Sequence, residues 1–211
     1  MSRYDVIIIG AGPGGIFAAY ELAKKAPELK VAVFEAGNSL EKRKCPIDGK
    51  KIKSCINCKT CAIMSGFGGA GAFSDGKYNI TNDFGGTLYE YIGKDTAIDL
   101  MKYVDEINLA YGGEGTKMYS TAGTDIKKLC IQNELKLLDA SVRHLGTDIN
   151  YIVLENLYKE LKEKVEFRFN YRVDELEAVD GGYRVISGDS TDECFRRKKR
   201  KQMDGESVRK S

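Results

Sequence analysis

The stretch YDVIIIGAGPGGIFAAYELAKK at 4–25 constrains this chain more than any other. The run from Tyr4 to Ile9 is continuous, apolar and rich in β-branched residues, which is the pattern of a strand buried on both faces. GAGPGG makes a tight turn, Ile16–Lys25 reads as a helix without a breaker, and Pro27 ends it. KVAVFE at 30–35 is a second buried strand, so the spacing predicts a βαβ unit with a right-handed crossover. The glycines follow Gly10-x-Gly12-x-x-Gly15, and each has a mechanical reason. Gly10 permits the sharp turn, Gly12 leaves room for a pyrophosphate beside Pro13, and Gly15 lets helix and strand approach closely. The helix N-terminus then offers free amides and a favourable dipole to the phosphates. Glu35, twenty residues past Gly15 and followed by Ala36, is placed to accept hydrogen bonds from an adenosine ribose, and its charge would repel a 2′-phosphate. The fold class expected is α/β, Rossmann-type, with FAD or NAD as the ligand.

Length and charge narrow the rest. The 211 residues are 42% hydrophobic and 30% charged, enough apolar surface to bury a core. A net charge of +2 does not imply a nucleic-acid or membrane partner over the whole surface. No apolar run reaches the ~18–20 residues a membrane helix needs. The N-terminus reaches a strand almost at once, with no charged leader or cleavage site, so the expected location is the cytoplasm. The expected partner is a small-molecule substrate or an electron donor or acceptor.

Past the second strand, periodicity disappears from Ala36 to Gly86, a segment rich in Gly, Cys, Asp and Asn whose length argues for function. Helical patterns return at about 88–111, 124–140 and 148–164, with Thr147 or Asp148 as the cap of the last. VEFRFNY at 165–171 is a strand, and VDELEAV-DGG-YRVIS a hairpin turning at Asp180-Gly181-Gly182. After Ser187 large apolar residues become scarce, so 1–187 reads as the domain and 188–211 as a polar, basic and disordered tail. Its FRRKKRK run holds six of the 33 Lys and Arg residues and reads as a solvated segment.

The cysteines are unevenly placed. Cys55, Cys58 and Cys61 stand at every third position, and Cys45 precedes them in a Cys-Pro pair. A reducing compartment favours thiols or metal ligands over disulfides. Three readings stand open: an iron–sulfur cluster held by all four, zinc on four thiolates, or redox-active thiols, with plain packing as the alternative to all of them. Cys130 reads as helix core.

Taken together, EAGNSLEKRKCP, CINCKTC and GFGGAGAFSDGKYNIT resemble the FAD-dependent or NAD(FAD)-utilizing dehydrogenase family, as do RHLGTDINYIVLENLYKELK and VEFRFNYRVDELEAVDGGYRV. The resemblance covers about residues 3–187. GKYNITN at 76–82 is similar to the GxCNxTN segment of more distant flavoproteins, with Tyr78 where those carry Cys. The resemblance implies a flavoprotein of the two-dinucleotide-binding type. In it Gly10, Gly12 and Gly15 hold the FAD pyrophosphate, Glu35 the ribose, and Arg43 sits near the phosphates or ribose. Gly68, Gly69, Ala70 and Gly71 line the isoalloxazine, and Val173 offers backbone to adenine. Family members continue past this length, so the chain reads as their N-terminal part.

The expected function is an FAD-dependent oxidoreductase of unknown substrate, with NAD(P) as a co-substrate. Two alternatives are a non-catalytic nucleotide-binding remnant and an iron–sulfur/flavin electron-transfer protein. No catalytic acid or base is assigned. His144, the only histidine, reads as a loop or capping residue sooner than as a base near a substrate, Asp75 and Lys77 either as contacts to flavin or substrate or as turn chemistry in SDGK, and Tyr78 as a ring-stacking or packing residue.

Overall fold

A computed structural model of the chain describes residues 2–195. A short strand β1 (Arg3–Tyr4) precedes β2 (Val6–Ile9), which carries the apolar run. Helix α1 (Pro13–Lys25) follows, and β3 (Val31–Phe34) pairs with β2 in parallel, in register from Val6↔Val31 to Ile9↔Phe34. A third parallel strand, β7 (Glu166–Arg168), lies on the far side of β3. The expected βαβ unit is therefore present, inside a parallel sheet of order β2-β3-β7.

Strand β3 is buried along its whole length, and its side chains alternate between two cores. Val31 and Val33 enter the larger core with Ile16 and Ala19 of α1. Helix α5 (Thr147–Leu161) closes that core with Val153, Leu157 and Leu161. Ala32 and Phe34 face the opposite way, toward Tyr4 and Val185. This second core is covered by a sheet of order β1-β10-β9-β8, formed by β8 (Glu175–Val179), β9 (Gly182–Ser187) and β10 (Ser190–Phe195) with β1. The expected hairpin is β8–β9, turning through Gly181 at φ +77°, a value glycine adopts without strain.

Four expectations change. Packing does not stop at Ser187: β10 pairs antiparallel with β9 and parallel with β1. Asp192, in the middle of β10, is buried and accepts from Ser2 N at 3.0 Å, Arg168 Nη1 at 2.7 Å and the Tyr171 hydroxyl at 2.7 Å. The basic run from Arg196 onward lies outside the described residues. The pattern at 124–140 yields only α4 (Ile126–Gln132), which buries none of its residues, and Cys130 on it is half-buried rather than core. Around it, β4 (Lys77–Ile80), β5 (Met118–Ser120) and β6 (Ser141–His144) form an antiparallel sheet of order β4-β6-β5. The helix expected at 88–111 breaks at Gly93, φ +83°, into α2 (Leu88–Ile92) and α3 (Lys94–Asn108). The N-cap of α5 is Gly146, φ +79°, and neither Thr147 nor Asp148 caps it with a side chain.

A buried ion pair fastens α3 to the three-stranded antiparallel sheet. Arg143 of β6 meets Asp105 of α3 with two hydrogen bonds, Nε–Oδ1 at 2.6 Å and Nη2–Oδ2 at 2.8 Å. The fork geometry satisfies both carboxylate oxygens, which is what lets the pair stay out of water. Among the described residues no helix is long and apolar enough to cross a membrane.

Candidate functional site

The bend between β2 and α1 is open. Gly10 has φ +96° and donates its N–H to Phe34 O at 2.7 Å, which ties the turn to β3. A Cβ on Gly15 would sit 1.9 Å from Gly10 O, so only glycine lets helix and strand come this close. A Cβ on Gly10, Gly12 or Gly14 would meet nothing within 4 Å. Among the described residues no side chain comes within 4 Å of these positions. Gly12 is the N-cap of α1, no side chain caps the first turn, and Pro13 has no N–H to give. The first-turn amides are thus left to an outside acceptor, the arrangement that suits a phosphate.

Glu35 lies directly after β3, only 7% exposed, and points at this bend. Its Oε2 accepts from Ala11 N at 2.7 Å, and its Oε1 accepts from Gly37 N at 2.8 Å and Gly66 N at 2.9 Å. Three backbone amides stabilise a buried carboxylate that would otherwise be costly. Oε2 retains acceptor capacity beside the bend. Ala36 is half-buried next to it.

Arg43 does the complementary task. Its guanidinium is buried and donates to four backbone carbonyls: Ala62 O at 2.9 Å, Ile63 O at 2.6 Å, and Phe67 O and Gly69 O, both at 2.7 Å. It also lies 4.8 Å from the centre of the Phe73 ring. The structure places Arg43 behind the glycine loop, with most of its donors spent on holding that loop in shape.

The loop so held folds onto the bend. Gly68 N donates to Ala11 O at 2.8 Å, and a Cβ on Gly69 would stand 3.3 Å from Gly12 Cα. Gly68 and Gly69 both have positive φ, +89° and +59°, and lead into a 3₁₀ turn, Gly69–Phe73, in which Ala70 and Gly71 are exposed. The two glycine segments singled out in the sequence are therefore neighbours. Val173 packs its side chain against the second core, two residues past Tyr171, whose N–H donates to Glu35 O at 2.9 Å.

A cavity of about 160 Å³ opens beneath this junction. Pro13, Ile16 and Phe17 of α1, Gly68 and Gly71 of the loop, and Leu154 and Leu157 of α5 form much of its wall. Its polar lining includes Tyr78, Asn108 and Asn150. The Tyr78 hydroxyl donates to Asn150 Oδ1 at 2.9 Å, and Asn150 Nδ2 donates to Gly71 O at 2.9 Å. Burial, and then the nearby Asp105 charge, push the Tyr78 phenol above its ordinary pKa. Sequence reasoning missed Asn108 and Asn150. The available signal was Asn150 at the head of the buried stripe Asn150, Val153, Leu157, Leu161, a polar residue on an apolar helix face.

Asp75 and Lys77 form an exposed ion pair at 2.7 Å. His144 is exposed on β6, opposite Lys77, and so is neither a loop nor a capping residue.

Cys45, Cys55, Cys58 and Cys61 line one hollow of about 270 Å³, and all four are free thiols. Backbone amides of Met64 and Ile63, with Arg43 behind them, hold the Cys61 thiol below its ordinary pKa. Yet among the described residues no group of three or more His, Cys, Asp or Glu side chains is disposed to hold a metal ion. The loop thus gathers the four thiols around one space without bringing them onto one ion, and the iron–sulfur and zinc expectations find no ligand set there.

Comparison with known proteins gives a local sequence match and broad structural ones. Residues 1–41 match the Thi4 family. Thiamine thiazole synthases of Yarrowia lipolytica and Phaeosphaeria nodorum are each 64% identical to this chain over 33 residues, 16% of this chain and 10% of theirs. Among solved structures, glycine oxidase from Geobacillus kaustophilus aligns with 92% of this chain and 54% of its own, at 16% identity and a TM-score of 0.49. L-α-glycerophosphate oxidase from Mycoplasma pneumoniae aligns with 92% of this chain and 53% of its own, at 16% identity and a TM-score of 0.44. The chain spans about half the length of these two structures and aligns with a tenth of the curated relatives.

Proposed function

We propose that this chain forms the adenine-dinucleotide end of an FAD-dependent oxidoreductase. The observation that carries the reading is the empty cradle at Gly10, Gly12 and Gly14, set at an uncapped helix N-terminus with a buried carboxylate beside it. The Thi4-family match supports it, because residues 1–41 contain this bend and Glu35.

The residues present fit the cofactor. The amides at the start of α1 would hold the pyrophosphate, and Gly12 would let the phosphates approach backbone directly. Glu35 Oε2 would accept from a ribose hydroxyl. The turn from Gly68 to Gly71, held against Gly12 by Arg43 and by the Gly68–Ala11 hydrogen bond, would border the flavin end, where exposed backbone replaces side chains. Bound flavin would supply hydride or electron transfer between a small-molecule substrate and an electron partner such as NAD(P). No side chain is assigned a proton-transfer role, and the cysteine hollow carries no step.

Titration of the apo-protein with FAD, followed by flavin fluorescence, tests this. Gly12 has φ −74°, ordinary for any residue, and its Cβ would meet nothing. Gly12→Ala is therefore expected to leave apo stability within about 0.5 kcal/mol of the parent while weakening FAD binding at least about tenfold, roughly 1.4 kcal/mol. A parent chain that takes up no FAD, or a Gly12→Ala chain that binds it equally well, overturns the proposal.

A further inference from the structure

The four thiols gathered around one space are not equivalent. Among the described residues no three of them converge to hold an ion, but a disulfide needs only two. Cys61 is half-buried, its sulfur receives the N–H groups of Met64 and Ile63, and it feels the Arg43 charge. These contacts favour the thiolate, the nucleophile of thiol chemistry. Cys58 is exposed, and the chain bends between the two at Lys59 and Thr60. Cys55 is exposed as well, but its sulfur is engaged with Asn57, accepting from its N–H at 3.5 Å and donating to its Oδ1 at 3.6 Å. Cys58 and Cys61 are therefore the pair that joins an activated sulfur to a free, accessible one across a bend.

The segment that forms the hollow is strongly basic. Residues 41–61 carry seven Lys and Arg against two carboxylates, Glu41 and Asp48, a net +5 where the whole chain has +2. Arg43 is spent behind the glycine loop, but Lys42, Lys44, Lys50, Lys51, Lys53 and Lys59 are exposed. None of these six forms an ion pair among the described residues. Lys44 adjoins Cys45, and Lys59 follows Cys58. Unspent positive charge of this density raises the local concentration of an anion and its rate of encounter. The hollow, about 270 Å³, lies near the lower end of small-molecule sites, which run from about 300 Å³ upward. It therefore suits one half of a small disulfide.

We propose that Cys58 and Cys61 form a thiol–disulfide exchange site for a small anionic disulfide, one whose thiol halves carry carboxylates. The Cys61 thiolate attacks one sulfur of R–S–S–R. A Cys61–S–S–R bond forms, the S–S bond of the disulfide breaks, and R–S⁻ leaves and takes a proton from water. Cys58 then gives its proton to water and attacks the Cys61 sulfur. A Cys58–Cys61 bond forms, and the second R–S⁻ leaves and is protonated in turn. The protein dithiol loses two electrons and two protons, and the disulfide gains them as two thiols. No flavin takes part, so the exchange stands whether or not the chain binds FAD.

The test uses the reduced full chain and two probes of opposite charge: oxidised glutathione, which is anionic, and cystamine, which is cationic. Oxidation is followed by mass spectrometry. Oxidised glutathione is expected to react at least about tenfold faster than cystamine at low salt, and the difference should shrink as ionic strength rises. The product should be lighter by two hydrogens, and cleavage after Lys59 should leave the Cys58 and Cys61 peptides joined. Cys55→Ser should still close that bond, whereas Cys58→Ser should stop at the glutathione adduct on Cys61. Cys61→Ser should slow the first attack at least about tenfold, and Cys45→Ser should leave it within about twofold of the parent. If Cys61→Ser does not fold, the parent serves: iodoacetamide should label Cys61 before the other thiols. The proposal fails if neither probe oxidises the chain, or if cystamine is as fast as oxidised glutathione. It fails equally if Cys61→Ser reacts as the parent does, if another thiol is labelled first, or if the bond formed joins other cysteines. Thiols that resist alkylation until a chelator is added would overturn it as well, because a bound metal then holds them.

Discussion

Gly12 and Gly15 are the same residue type three positions apart, and they do different things. Gly12 faces empty space, whereas Gly15 presses against Gly10 O. Where Gly12→Ala spares the apo fold, Gly15→Ala forces α1 away from the turn. It is expected to lower stability by about 1–3 kcal/mol, read by urea denaturation, and a Gly15→Ala chain as stable as the parent would contradict the packing described. The motif was legible because its reasons are local: a turn, an approach and a helix end, all within six residues. The charged residues were less so. Glu35 and Arg43 were expected to meet a ligand, and beyond that expectation both hold backbone, accepting three amides and donating to four carbonyls. A buried charge needs several partners at once, and sequence shows the charge without showing which amides and carbonyls will reach it.

At the scale of elements, the strands with apolar, β-branched or aromatic runs were read from the sequence, β7 included although its partner β3 lies far away, and the short or polar strands were not. β4 and β6 pair residues more than sixty apart, Lys77 with His144 and Ile80 with Ser141. The SVRH sequence of β6 carries an arginine that looks solvent-bound until Asp105 of α3 is placed opposite it. β10 was hidden in the same way, because its STDECF sequence reads as polar while Asp192 is among the most buried side chains of the sheet. That aspartate makes β10 testable. Arg168→Met would leave the Asp192 carboxylate buried with only Ser2 N and the Tyr171 hydroxyl. Breaking one side of a buried pair costs about 3–5 kcal/mol; Arg168 is partly exposed, so about 2–3 kcal/mol is expected in a denaturation experiment. No loss would mean that β10 does not depend on this pair.

For the whole molecule, the shifted titrations bracket a pH range. Lys25, and then Tyr103, hold the Glu21 carboxyl below its ordinary pKa, and Tyr111, then Lys164, do the same for Glu160. A depressed carboxyl contributes fully above its unfolded value, about 4.3, and its contribution is lost as pH falls through the folded value. On the alkaline side, burial and then the Asp192 hydrogen bond push Tyr171 up to about 12, and burial with Glu160 raises Tyr111. A raised phenol contributes fully below about pH 10 and loses that contribution as pH climbs through the folded value. From these groups the melting temperature should fall below about pH 5 and above about pH 10; within that span the lowered Cys61 thiol adds a rise as pH climbs through its folded value toward about 8.5, and no fall at either end would count against these contacts. Strand β3 has a consequence of a different kind. Since Val31 and Val33 belong to one chamber, and Ala32 and Phe34 to the other, the strand is a party wall. Neither room can be emptied while the other stays furnished, and the hairpin layer and the helical layer come down together.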